Sequence, residues 1–249
     1  MTLNYSSRLL MCSLRWKKDE SVKKLFKLQW MVMMSPIAVA VVIGASFFCL
    51  MGDVAIAWEG RTTSYHLVRT YQVTTIMINR VIITLASVML ATHTMIPKYD
   101  HHVILLVPII KRTSLFYSKW LIFFLIISSF ILFMMAGQTI VGLLMIHQYY
   151  LSITCWLEWT QTFFCGMMYA LYTMLLTQLT RSSIVALGPM MVFVATSNLT
   201  FHGISEVIAF GLFVVGEVHL DGSILYLLWM MVLMVLLNAW IYQKKDFSY

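Results

Sequence analysis

Between Trp120 and Ile146 the chain carries no charged side chain at all. A helix of about 20 apolar residues crosses the hydrocarbon core of a bilayer. Such a run cannot leave backbone amides unpaired in lipid, so it must close its own hydrogen bonds as a helix. Comparable runs recur along the chain, and they predict spans over 28–51, 73–95, 120–146, 156–179, 182–200 and 222–243. Only 11% of the residues are charged and 61% are hydrophobic, whereas a soluble domain carries roughly 25% charged residues. The apolar stretches are continuous rather than alternating, which argues against a membrane β-barrel. The expected fold is an all-α integral membrane protein with six transmembrane helices in a single domain over 28–249.

Charge gives the orientation. Fourteen of the seventeen Lys and Arg residues fall in the N-terminal 27 residues, the 98–119 loop, the Arg181 turn and the C-terminal end. The positive-inside rule then places both termini and these loops in the cytoplasm, in a multi-pass protein of the cell membrane. Residues 1–27 set Tyr5, Leu9, Cys12 and Trp16 at helical spacing among seven basic side chains. They read as an amphipathic segment lying on the inner leaflet, too basic and polar to act as a cleavable signal peptide. Pro36 is expected to kink the first span. Residues 52–72, with Asp53, Glu59, Arg61 and Arg69, read as an outer loop. Gly188-Pro189 marks a kink in the fifth span. Residues 202–221 hold an apolar core too short to cross, flanked by Glu206 and Glu217, and read as an outer re-entrant or helical piece.

Three polar residues within or beside the spans are candidates for a substrate path. Arg80 lies inside the second span, where a charge is costly and faces protein or water, or else snorkels to the outer headgroups. Asn79 beside it is suited to an interhelical hydrogen bond. Glu158 lies toward the same end of the fourth span and is a partner for Arg80. Elsewhere the chemistry is sparse. No G-x-x-x-x-G-K-[ST] loop is present, so ATP is not expected to bind this chain by a P-loop. Cys12, Cys49, Cys155 and Cys165 lack C-x-x-C spacing and read as packing residues. His101-His102 reads as a solvated pair, since adjacent helical residues do not face one metal. No metal, cofactor, nucleic-acid partner or catalytic cluster is expected, and the chain is not read as an enzyme. Twenty methionines suit malleable packing surfaces.

The 105–119 stretch, LLVPIIKRTSLFYSK, is the densest basic cluster outside the N-terminus. Pro108 should end or bend a short helix there, Asp100 is placed to cap one, and Lys111, Arg112 and Lys119 mark a face toward cytoplasm and anionic headgroups. Pro108, Lys111, Arg112, Ser118 and Lys119, followed by an apolar span, resemble the P-x-x-[RK]…[SG]-K pattern after the second span of ABC-2 type permeases, the membrane subunits of ABC exporters. The ending 242–247, YQKKDF, is similar to the basic-acidic tail of many of them. Residues 98–102, KYDHH, stand where that family more usually carries an acidic residue with Gly-Thr. The resemblance extends over the whole chain in length and span layout. It implies a short cytoplasmic coupling helix between spans two and three, with Asp100, Pro108, Lys111, Arg112 and Lys119 in the contact to an ATPase. It implies two copies of a separate P-loop ATP-binding subunit holding ATP and Mg, and a second permease subunit, identical or related. The implied cargo is hydrophobic or amphipathic, such as a membrane-active peptide moved out of the cell. The competing expectation is a membrane scaffold or regulator that recruits a cytoplasmic partner through the same basic surface.

Overall fold

The computed structural model of the chain describes residues 26, 27, 30, 33–60, 67–95, 112–146, 153–198 and 223–244. These form six α-helices: α1 (Pro36–Gly60), α2 (Leu67–Thr94), α3 (Arg112–Met145), α4 (Ile153–Thr180), α5 (Ser183–Asn198) and α6 (Ser223–Lys244). Among the described residues there is no strand. Four helices are long and apolar enough to cross a membrane: Pro36–Glu59, Tyr71–Thr94, Thr113–Met145 and Cys155–Thr180. In α5 and α6 the apolar stretches are shorter, Ser183–Val192 and Leu228–Lys244. The structure thus defines an all-helical, multi-pass membrane protein. Residues 1–25 of the expected amphipathic segment 1–27, the helix over 99–111 and the outer piece over 202–221 lie outside the described residues.

Local chemistry sets the helix ends. The chain makes a helical turn closed by the Met34 amide on the Trp30 carbonyl at 2.8 Å. It then breaks at Ser35, whose hydroxyl accepts the Ala38 amide at 3.3 Å as an N-cap. Pro36 follows at the first helical position, where its missing N–H costs nothing. The kink expected at Pro36 is therefore a full break, and α1 starts there. At the other end α1 runs on to Gly60 and α2 starts at Leu67, so 52–60 and 67–72, expected in an outer loop, are helical and Asp53 is an intrahelical residue. Arg181 joins α4 to α5 with a φ of 56°, the left-handed conformation common just past a helix end. Ser182 then caps α5 through the Val185 amide at 3.4 Å. α5 continues as one helix through Pro189.

α2 and α4 pack most extensively and form the axis of the bundle. α1 lies against α2 and α3, α5 against α2 and α4, and α6 against α4 and α3. Of the four long apolar helices α4 is the most enclosed and α1 the least. Small residues permit the close axis: a Cβ on Gly166 would stand 3.1 Å from the Ser87 hydroxyl of α2. Hydroxyls inside the bundle bond back to the preceding turn, as Thr173 to the Tyr169 carbonyl at 2.7 Å and Ser87 to the Ile83 carbonyl at 2.8 Å. One core cluster joins α1, α2, α3, α4 and α6 around Phe116, Phe123, Met134, Trp159, Met174 and Tyr242. The helices alternate in direction. One end of the bundle, the lower end, gathers Ser35, Thr94, Lys119, Gln178 and Tyr242; the upper end gathers Ala57, Tyr71 and Ile146.

Candidate functional site

Among the described residues two polar groups interrupt the apolar interior, one in the upper half and one at the lower end. The upper group is built on consecutive residues of α2. Successive helical positions turn by about 100°, so Asn79 and Arg80 face different neighbours. Asn79 points at α1, where its amide donates to Asp53 Oδ1 at 3.0 Å, both side chains being fully buried. Asp53 Oδ2 and Asn79 Oδ1 have no hydrogen-bond partner. Arg80 points at α4. It forms an ion pair with Glu158 and donates to Gln161 Oε1 at 3.1 Å and to the Thr162 hydroxyl at 3.4 Å. Thr162 in turn donates to the Glu158 carbonyl at 2.9 Å. The Arg80 guanidinium is therefore held by α4. Its charge is matched within the bundle by three side chains of one helical turn of α4, as an intramembrane guanidinium requires.

A turn higher, Gln138 of α3 enters the same layer. Its amide donates to the Thr75 hydroxyl, and its carbonyl oxygen accepts the Trp159 indole N–H at 2.8 Å. Tyr71 donates to the Gln138 backbone carbonyl at 3.2 Å. α1, α2, α3 and α4 are thus tied together in a single polar layer around α2.

The lower group joins the end of α2 to the first turns of α3. Lys119 is 1% exposed, and its ammonium donates to the Thr94 carbonyl at 3.0 Å. Thr94 is the last residue of α2, and a lysine there is favoured by the unpaired carbonyls and the dipole of the helix end. The same ammonium lies 5.8 Å from the centre of the Tyr242 ring of α6, which packs against Phe116. Lys119 is thus not part of a face toward headgroups, as expected, but an internal tie between α2, α3 and α6. Alongside it, Gln178 of α4 donates to Asn238 Oδ1 of α6 at 3.1 Å, and Asn238 donates to the Leu171 carbonyl at 3.2 Å. Ser35 and His93 share a hydrogen bond of 2.6 Å that joins α1 to α2 at the same end.

Of the other residues expected at an ATPase contact, Asp100, Pro108 and Lys111 lie outside the described residues, and Arg112 opens α3. The structure brings Arg80 and Glu158 together and turns Asn79 toward Asp53 of α1 instead. Residues that sequence reasoning missed are Asp53, Gln138, Gln161, Thr162, Gln178 and Asn238. The signal for the amides was present: Gln138 and Asn238 are isolated amides within otherwise apolar runs, where an unpaired amide is costly. Among the described residues no group of three His, Cys, Asp or Glu side chains is placed to hold a metal ion.

The fold and these two polar groups define the class, a helical multi-pass membrane protein. No protein-family model matches the chain, and no curated protein matches it.

Proposed function

We propose that this chain is the membrane-spanning permease subunit of an ATP-driven exporter of the ABC-2 kind. In this reading all six helices cross the bilayer, both termini are cytoplasmic, and the lower end of the bundle faces the cytoplasm. A separate ATP-binding subunit, in two copies, docks beneath the 98–119 loop, and a second permease subunit completes the passage. The cargo is hydrophobic or amphipathic, of the kind represented by membrane-active peptides, and it leaves past an acidic outer face carrying Glu59, Glu206, Glu217 and Asp221.

The observation that best supports this reading is the Lys119 tie. A loop that receives a push can move spans only if its ends are fixed to them. Lys119, two turns into α3, holds that helix to the last carbonyl of α2 and beside Tyr242 of α6. Displacement of the loop would then be felt at once by α2, α3 and α6, and through the Arg80 contacts by α4. Rigid-body tilting of packed helices is the usual form of such a change.

The test is co-purification of the tagged chain in mild detergent with assay of bound ATPase activity. Lys111→Glu with Arg112→Glu should release or uncouple the ATPase while leaving membrane insertion intact. Full coupled activity in that variant, or no ATPase associated with the wild-type chain, overturns the reading. For the cargo, loss of this subunit should abolish secretion of, or tolerance to, a membrane-active peptide. Unchanged secretion and tolerance would exclude that class.

A further inference from the structure

The contact between Asp53 of α1 and Asn79 of α2 is one hydrogen short. Both side chains are fully buried. One bond is made, from the Asn79 amide to Asp53 Oδ1 at 3.0 Å. Asp53 Oδ2 and Asn79 Oδ1, the other oxygens on the same two carbons, have no partner. An ionised carboxylate only accepts hydrogen bonds, and so does an amide oxygen. Turning the Asn79 amide over does not supply the donor. Its oxygen would then face Asp53 Oδ1, again two acceptors in contact.

The surroundings do not supply it either. α1 packs against α2 and α3. Arg80 follows Asn79 on α2, but it is turned to α4 and matched by Glu158. Tyr71, two turns above Asn79, donates to the Gln138 carbonyl. α3 carries no charged side chain between Trp120 and Ile146. On α1 itself the titratable neighbours are Cys49, buried one turn below, and Glu59, about 9 Å above at 1.5 Å per residue. Neither is a cation. The site is also poor for a metal ion, since Mg²⁺ or Ca²⁺ takes about six oxygen ligands or more. One turn away along both helices the only side-chain oxygen is that of Thr75. Its hydroxyl already donates to the Tyr71 carbonyl at 2.7 Å and accepts from Gln138. A proton needs only the two oxygens that are present. A buried carboxyl without a cation takes up a proton rather than keep its charge.

We propose that Asp53 and Asn79 form a proton-binding site within the bundle. The proton sits on Asp53 Oδ2 and is donated to Asn79 Oδ1, closing a two-bond acid–amide pair between α1 and α2. α1 is the least enclosed of the four long apolar helices, and the proton is a ligand shared across its contact with α2. Proton and contact then favour each other by the same factor, as linked equilibria require. The site does not depend on the transport reading, and its test needs no partner subunit.

The chain is purified in a maltoside detergent, which has no carbonyl group, and its infrared spectrum is recorded at neutral pH. An aspartic acid in water is ionised under those conditions. The carbonyl stretch of a protonated carboxylic acid should be present, with the intensity of a single carboxyl per chain. It should shift when aspartate is labelled with carbon-13 at the side-chain carboxyl, and it should vanish in Asp53→Asn. The other four aspartates, Asp19, Asp100, Asp221 and Asp246, lie outside the described helices. Asp53→Asn keeps one donor and one acceptor facing Asn79, so its thermal midpoint should stay near that of the wild-type chain. Asn79→Leu removes the acceptor, and the band should move to the higher frequency of an unbonded acid. If Asp53→Asn does not fold, the aspartate label together with Asn79→Leu assigns the band. No protonated-acid band, a band indifferent to the aspartate label, or one that Asn79→Leu fails to move would each overturn the inference.

Discussion

Arg80 has its charge matched across the bundle axis, so removing either partner strands the other inside the membrane. An uncompensated charge near mid-span costs roughly 3 kcal/mol. Arg80→Glu and Glu158→Arg should each lower the thermal midpoint of the detergent-solubilised protein and its expression. The combined reversal should recover most of both, measured by fluorescence-detected size exclusion after heating; no recovery would mean that the pair contributes nothing. Lys119 behaves differently. Its ammonium is buried against one helix end, and a buried charge is often no more stabilising than an apolar residue of similar volume. Lys119→Met should therefore leave the midpoint nearly unchanged. If the transport reading holds, it should lower cargo-stimulated ATPase activity of the assembled complex, because α3 is then no longer tied to α2. These residues differ in how far the sequence announced them. Arg80 and Glu158 stood out as rare charges at matching depth, and they do meet. The burial of Lys119 was not legible, because the carbonyl that receives it belongs to Thr94 and the ring beside it to Tyr242, both remote in sequence.

At the level of the helices, long apolar runs located the six helices that the structure describes, since lipid leaves the backbone no alternative to the helix. The boundaries were less legible. Asp53 and Glu59 read as loop markers, yet α1 continues past both to Gly60. Asp53 is tolerated inside the helix because Asn79, on another helix, donates to it, and local pattern cannot reveal a partner that tertiary packing supplies. The small residues of the α2–α4 contact were equally silent, since Gly166 acquires meaning only opposite Ser87. That contact yields a quantitative expectation. Ala is favoured over Gly within a helix by about 1 kcal/mol, but crowding in a packed contact costs about 1–3 kcal/mol. Gly166→Ala should thus be destabilising in the wild-type chain, where the new Cβ meets the Ser87 hydroxyl at 3.1 Å. In a Ser87→Ala background the same change should become stabilising, and a double-mutant cycle on the thermal midpoint reads the coupling. Gly44→Ala, with nothing within 4 Å of the added carbon, should stabilise in both backgrounds. Equal effects of Gly166→Ala with and without the Ser87 hydroxyl would show that this approach does not limit the packing.

For the whole molecule, the alternation of the helices makes a claim about sidedness that charge alone cannot make. Gln178 near the end of α4 reaches Met95 and Asn238, and Tyr242 of α6 packs on Phe116 of α3. The Arg181 turn, the start of α3 and the end of α6 therefore lie at one end of the bundle, and Gly60 lies at the other. α5 has 16 residues and is about 24 Å long, short of the roughly 30 Å hydrocarbon core. It rises from the lower end beside α2 and α4, where Met190 and Val194 pack with Val88 and Tyr169. A six-span arrangement requires it to carry the chain across nonetheless, with α6 returning. Single cysteines at Arg181, Lys244, Gly60 and Ser223, placed in a Cys12→Ala background, separate the alternatives, since Cys49, Cys155 and Cys165 are buried. In sealed right-side-out membranes an impermeant maleimide should label Gly60→Cys and Ser223→Cys, and should reach Arg181→Cys and Lys244→Cys only after permeabilisation. Arg181→Cys labelled from the same side as Gly60→Cys would contradict the packing of the bundle. Ser223→Cys labelled only with Arg181→Cys would mean that α5 turns back within the membrane. The basic side chains clustered at the lower end give the direction: that end should be the protected one, because lysine and arginine are retained on the cytoplasmic side.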